Sequence, residues 1–249
     1  MTTEQEMPPT TPEQGETAGQ VIGSIIPHGV FVLIQMGVYA VAILPCVPLV
    51  RWTVEELGPL WGWAVGLALS LHVATLGVLA LAALLRGLLG GRVEPGDYAM
   101  NSPQAYRWLR NFAFCEIARR SPFFGYVHHY SPVAVIFYRL MGCRMAWTAQ
   151  LGSDTRLTDP WLIEIGPGAT IGDGAIVAGH YIQGRTLVLR RVVIERGATV
   201  GGKAAVMPGC RIGEGATVVG CSLVAKDRVV PAGEVWLGVP ARKIGVNTK

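Results

Sequence analysis

Two stretches of the chain, Val21 to Val50 and Leu57 to Leu85, contain no Asp, Glu, Lys or Arg. Each exceeds the ~20 apolar residues that cross a bilayer core, so the pattern predicts two spanning helices. Pro45 and Pro48 mark the exit of the first, and Arg51 to Pro59 reads as a short polar connector. The pair then forms a hairpin whose two ends face the same side of the membrane. Gly62, Gly66, Ser70 and Gly77 supply small surfaces for contact between the helices. Ahead of them, residues 1–20 are polar, with Glu4, Glu6, Glu13 and Glu16, and read as a disordered tail. A secretory signal needs a basic start, so this acidic one predicts an anchor that is retained.

A different period governs the last part of the chain. Ile165, Ile171 and Val177 stand six apart, and Val188, Ile194, Val200, Val206, Ile212, Val218, Val224, Val230 and Trp236 do so again. Neither the helical nor the flat-strand period fits. Four positions after most of these anchors comes a small residue: Ala169, Ala175, Ala198, Ala204, Cys210, Ala216 and Ser222. Two inward positions per hexad are thus filled, and glycines between them permit tight corners. One hexad makes one face, and three faces stack into a prism around an aliphatic ladder. Between the two halves, Tyr98 to Met145 mixes aromatics such as Trp108, Phe112, Phe123 and Tyr138 with arginines, the composition of interfacial helices. The fold class is therefore mixed. The tail covers residues 1–20, the two-helix anchor 21–97, an interfacial helical linker 98–146, the β-helix 147–244 and a short tail 245–249.

Composition supports the membrane reading, because only 15% of the 249 residues are charged, where about 25% is usual. The net charge of +4 comes without a run of basic residues, which argues against nucleic acid and for anionic headgroups. Arg86, Arg92, Arg107, Arg110, Arg119 and Arg120 follow the second span, whereas the connector has only Arg51. The positive-inside rule then puts the β-helix in the cytoplasm of an inner-membrane protein. Five cysteines without regular spacing read as free thiols in a reducing compartment. His72 sits mid-span and reads as a neutral, hydrogen-bonded histidine or as a contact for an acceptor lipid. His128 and His129 lack an Asp, Glu or Cys at ligand spacing, so no metal is expected.

The repeat region from about Arg144 to Ile244 resembles the hexapeptide-repeat acyltransferases, and its ending VWLGVPARKIG (Val235 to Gly245) is similar to their closing segment. With SPFFGYVHHYSPVAVIFYRLMGCRMA (Ser121 to Ala146), IGDGAIVAGHYIQGRTLVLRRVVIERGATVG and the two spans, the chain looks like the membrane-bound C-terminal domains of poly-lysine-synthetase-like nonribosomal peptide synthetases. The resemblance implies a left-handed parallel β-helix, a homotrimer with sites between subunits, and acetyl-CoA or another acyl thioester as co-substrate rather than a tightly bound cofactor. It further implies that Trp236, Pro240, Arg242 and Lys243 lie near the donor.

The anchor phase breaks between Val177 and Val188, eleven residues where twelve would keep register, and His180 occupies the break. A loop is expected to leave the prism there, and the related enzymes carry their catalytic histidine on such a loop. Acyl transfer from a thioester requires removing a proton from a hydroxyl or amine, and imidazole titrates close enough to neutrality to do so. His180 is the candidate general base, with Glu164 or Asp173 as the carboxylate that would orient it. Backbone amides at Gly201 and Gly202 could stabilise the oxyanion, and Lys203 could meet a donor phosphate. Arg185 and Arg190 add positive charge suited to an anionic acceptor. The acceptor would be a hydroxyl or amine at the membrane, on a membrane lipid or a lipid-linked acceptor, and a carrier protein could bring the thioester donor. A non-catalytic trimeric scaffold is the alternative, and a zinc carbonic anhydrase fails for want of histidines.

Overall fold

The computed structural model of the protein describes residues 18–121, 124 and 131–247, with side chains from residue 29 onward. His128, His129 and the tail before residue 18 lie outside the described residues. Residues up to Gly37 form a unit of their own, and the chain from Val38 forms a second. Helix α1 covers Ala18–Ile43 and α2 covers Cys46–Leu85. By length and composition, the helical run Gly29–Gly90 is long and apolar enough to cross a membrane.

Within α2 the backbone turns at Gly58, where φ is 77° and ψ 168°, a conformation open to a residue without Cβ. The two arms fold back on each other. Thr53 Oγ1 donates to Gly62 O at 2.9 Å and Cys46 Sγ to Ser70 O at 3.5 Å. A Cβ on Gly62 would fall 2.3 Å from Val54 Cα, and one on Gly77 would fall 3.1 Å from Ala42 Cβ. These pairings run antiparallel, and all four of the small residues read from the sequence lie on the contact line. The polar connector expected over Arg51–Pro59 is instead helical as far as Leu57. Helix α1 does end just before Pro45, which precedes α2, whereas Pro48 falls in the opening turn of α2, where a missing N–H costs little, and ends no helix.

A single π-helical turn, Arg86–Gly90, follows α2 and leads to strand β1 (Gly96–Ala99). Helix α3 (Pro103–Arg119) starts at Ser102, whose hydroxyl caps the Ala105 N–H at 3.2 Å. Helix α4 spans Ser131–Leu140. The aromatic residues expected at a membrane interface are in large part buried against protein: Trp108, Phe114, Phe124, Phe137 and Tyr138 are at most 8% exposed. Tyr138 Oη donates to Thr155 O at 2.9 Å, which ties α4 to the first coil.

The rest is a triangular solenoid of three parallel sheets. One face carries β2 (Arg144–Met145), β5 (Ile163–Ile165), β10 (Val192–Ile194), β13 (Arg211–Ile212) and β16 (Val229–Val230). The second carries β3 (Gln150–Leu151), β6 (Thr170–Ile171), β11 (Thr199–Val200), β14 (Thr217–Val218) and β17 (Glu234–Gly238). The third carries β4 (Arg156–Leu157), β7 (Ile176–Val177), β12 (Ala205–Val206) and β15 (Leu223–Val224). Strand β18 (Ala241–Val246) turns back antiparallel on β17. Anchors such as Ile165, Ile194 and Ile212 stack inside with the predicted small residues Ala169, Ala198 and Ala216, all buried. Coils meet so closely at one corner that a Cβ on Gly172 would lie 2.5 Å from Gly202 N.

Two features depart from the hexad reading. The first coil starts earlier, with Met145, Leu151 and Leu157 as its buried anchors. Val188 is not a prism anchor. Strands β8 (His180–Gln183) and β9 (Thr186–Leu189) form an antiparallel hairpin between β7 and β10, and Val188 pairs there with Tyr181 and Asp97. Strand β1 completes this small sheet in the order β1-β9-β8. The expected loop is thus a hairpin, because its backbone finds partners in β1, a segment nearly ninety residues earlier in the chain.

Candidate active site

Asp159 and His180 meet at the root of this hairpin. After Leu157 the chain takes eight residues rather than six to reach the next anchor, Ile165. The surplus contains Asp159 and a 3-10 turn, Pro160–Leu162. His180 begins β8 directly after Gly179, and a Cβ on Gly179 would lie 2.9 Å from Asp159 Cβ, so glycine lets the two segments touch.

His180 Nδ1 is 2.6 Å from Asp159 Oδ2. The same oxygen accepts from Thr158 Oγ1 at 2.8 Å and from Gly179 N at 3.0 Å, while Oδ1 accepts from Trp108 Nε1 at 2.8 Å. Asp159 is fully buried. Burial by itself would push its carboxyl up, but the hydrogen bonds from His180, Trp108 and Thr158 and the charge of His180 outweigh it and hold the carboxyl below the usual carboxylate range. A carboxylate can only accept, so His180 Nδ1 carries a proton, and in the neutral ring the Nε2 lone pair is the acceptor. Trp108 and Phe112 of α3 set the ring edge-on, with centroids at 4.8 and 5.8 Å. The His180 side chain stays one-fifth exposed. Trp108 belongs to a core cluster with Val93, Ala105, Leu162, Leu187 and Leu189, so α3, β9 and the 3-10 turn pack as one support.

Neither carboxylate expected to orient the histidine does so. Glu164 points outward from β5 and pairs with Arg144 at 3.1 Å and Arg191 at 3.0 Å. Asp173 Oδ1 accepts from Ser153 N at 2.8 Å, at the corner between the second and third faces. Strand alternation turns Glu164 away from the core, and a corner position commits Asp173 to its neighbouring turn. The irregular step from Leu157 to Ile165 was the signal for Asp159, hidden because the first coil escaped the hexad pattern.

Arg190 is held by Asp97 at 2.6 Å, and Arg185 is exposed at the hairpin turn. Gly201, Gly202 and Lys203 form a corner between the second and third faces, with Lys203 N donating to Asp173 O at 2.8 Å. Trp236 Nε1 and Lys243 Nζ both donate to Glu234, at 2.8 and 2.6 Å, while Pro240 and Arg242 are exposed near the β17–β18 reversal. The hairpin with His180 leaves the edge between the third and first faces. In one chain, therefore, the histidine and the residues expected around the donor sit on different edges. Burial pushes the Cys115 thiol up to about 11, so it offers no thiolate nearby. Among the described residues no cluster of three or more His, Cys, Asp or Glu could hold a metal.

The three-faced hexapeptide solenoid resembles the hexapeptide-repeat acyltransferases, and in sequence the chain is similar to one protein named a synthetase and one named an acetyltransferase. Delta-poly-L-ornithine synthetase of Acinetobacter baumannii (strain AB307-0294) is 24% identical over 184 residues, 74% of this chain. The chain spans only 13% of that synthetase. YvoF of Bacillus subtilis (strain 168), provisionally named an acetyltransferase, is 28% identical over 137 residues, 55% of this chain and 76% of YvoF. A solved maltose O-acetyltransferase from Clostridium difficile 630 aligns with 62% of this chain and 94% of its own at 16% identity and a TM-score of 0.47. No family model matches the chain.

Proposed function

We propose that the protein is a membrane-anchored acyltransferase that moves an acetyl or aminoacyl group from a thioester to a hydroxyl or amine acceptor, with His180 as general base and Asp159 as its orienting carboxylate. The observation that carries this reading is the 2.6 Å contact between His180 Nδ1 and the buried Asp159. A scaffold has no use for a buried carboxylate that fixes one tautomer of a solvent-accessible imidazole. Nε2 takes the proton as the acceptor oxygen or nitrogen bonds to the thioester carbonyl carbon. The oxyanion then collapses, the C–S bond breaks, and the leaving thiolate receives the proton that Nε2 took. Through both steps Asp159 stabilises the imidazolium by accepting from Nδ1.

The helical arms are the anchor in this reading. The arm from Pro59 to Leu85 extends about 40 Å at the α-helical rise, longer than a ~30 Å hydrocarbon core. Hairpin topology returns both ends to one side, and the arginines after α2 make that side cytoplasmic. Three chains join with their His180 edges set against the donor edge of a neighbour, which brings Gly201, Gly202, Lys203, Trp236, Pro240, Arg242 and Lys243 to the thioester.

The test follows thiol release by purified wild type and His180→Ala, given acetyl-CoA or an aminoacylated carrier protein together with membrane extract. His180→Ala is expected to lose ~10²–10⁴ of the rate. Full activity in that variant would sink the assignment, and no release by wild type from either donor would leave the scaffold reading in its place.

A further inference from the structure

The two helical arms leave a groove of about 560 Å³ along one side of the hairpin. Ile43, Val47 and Val50 line it from one arm, and Leu67, Leu71 and Ala74 from the other. Cys46 and Ser70 reach it too. The Cys46 thiol donates to Ser70 O at 3.5 Å and the Ser70 hydroxyl to Gly66 O at 2.7 Å, so their hydrogens are spent within the hairpin. Such walls suit hydrocarbon and offer little to hold water.

One end of the groove is different. Arg51 and Trp63 close it on the side where the chain reverses at Gly58. Arg51 is exposed and, among the described residues, takes part in no ion pair. No carboxylate lines the groove, and Glu55 and Glu56, in the next helical turn, are exposed outside its walls. Trp52, Trp61 and Trp63 are each more than half exposed. All three lie within about two helical turns of Gly58, the placing of an aromatic belt where hydrocarbon meets water. From Trp63 to Ala74 the arm rises about 16 Å, half of a ~30 Å hydrocarbon core. The groove is therefore as deep as one leaflet, with a cation at its headgroup end.

We propose that this groove binds one anionic phospholipid of the leaflet on the reversal side, with an acyl chain between the arms and the phosphate against the Arg51 guanidinium. The guanidinium donates to phosphate oxygens, and the chain supplies van der Waals contact that two helices cannot close between themselves. With the arms across the bilayer and the arginines after α2 on the cytoplasmic side, as proposed, this leaflet is the one away from His180. The lipid is consequently not the acceptor. It seats the anchor, and its binding is independent of acyl transfer.

The full-length protein in neutral detergent is given equal amounts of phosphatidylglycerol and phosphatidylcholine with the same chains, and native mass spectrometry counts the lipid retained. Wild type and His180→Ala should alike keep one lipid per chain. Phosphatidylglycerol should be favoured about fivefold, the effect of one arginine at a membrane surface. Arg51→Gln should keep one lipid without preference. Ala68→Trp sets a ring into the groove from an exposed position on its wall and should lose the lipid. Leu71→Trp repeats that measurement if Ala68→Trp does not fold. Equal retention of the two lipids by wild type, or wild-type retention once the groove is filled, would overturn the proposal. Wild type that retains no lipid would overturn it as well and give the groove to a helix of a second copy.

Discussion

Asp159 accepts four hydrogen bonds, from His180, Thr158, Gly179 and Trp108, in a place that water does not reach. Replacing it by Asn presents an amide that can donate to His180 and so reverses the tautomer, taking the lone pair from Nε2. Asp159→Asn is therefore expected to lower the transfer rate by ~10²–10⁴, as such carboxylates do beside catalytic histidines, with steady-state thiol release as the measure. The carboxyl also links stability to pH. Burial raises its pKa and the hydrogen bonds and charge lower it further, so the folded value lies below the unfolded one of about 3.9. A depressed carboxyl contributes stability above the unfolded value and loses it as pH falls through the folded one. Thermal unfolding of wild type should thus be insensitive to this group near neutrality and weaken below about pH 4, while Asp159→Asn should lack that acid limb. His180 was legible from the sequence as the lone histidine of the repeat region. Asp159 was not, since residues twenty-one positions apart meet only because one coil of prism separates them.

Among the elements, α3 has the largest consequence that local pattern did not reveal. Its alternation of aromatics and arginines suits a membrane surface, yet Ala105, Trp108, Asn111, Cys115 and Ala118 are buried along one face. That face supports the β1-β9-β8 sheet and the dyad. In the proposed mechanism Trp108 is a positioning residue, acting through Asp159. Trp108→Phe keeps the edge contact with His180 but leaves Asp159 Oδ1 without its donor, a loss of about 1–3 kcal/mol in stability. We expect kcat to fall roughly tenfold, the size of one such hydrogen bond, with KM little changed. A change in KM alone, or an unaltered pH profile with a lowered melting temperature, would mean that Trp108 serves packing only. The hairpin was read as a loop because its pairing partner, β1, lies beyond any local window.

For the molecule as a whole, the separation of edges makes the strongest demand. His180 leaves the prism between the third and first faces, whereas Gly201 to Lys203 lie between the second and third. A site that uses both sets must draw them from two copies. Native mass measurement in gentle detergent should give a trimer, and a monomer would count against the composite site. Co-expression supplies the sharper measurement. His180→Ala and the double variant Arg242→Ala, Lys243→Ala are each expected to be inactive alone, and mixed trimers should recover a fraction of wild-type thiol release. No recovery would place the whole site within one chain.

The sequence by itself determined the two apolar arms, the small residues along their contact and the hexad ladder, because each follows from a short-range rule of burial repeated along the chain. Even His180 stood out by its place in a break of that repeat. Only the tertiary structure decided that Gly58 is where the arms reverse, that Val188 belongs to a hairpin and that Asp159, rather than Glu164 or Asp173, holds His180. Those outcomes depend on which distant segments share a hydrogen bond or exclude a Cβ, and such contacts leave no period in the sequence.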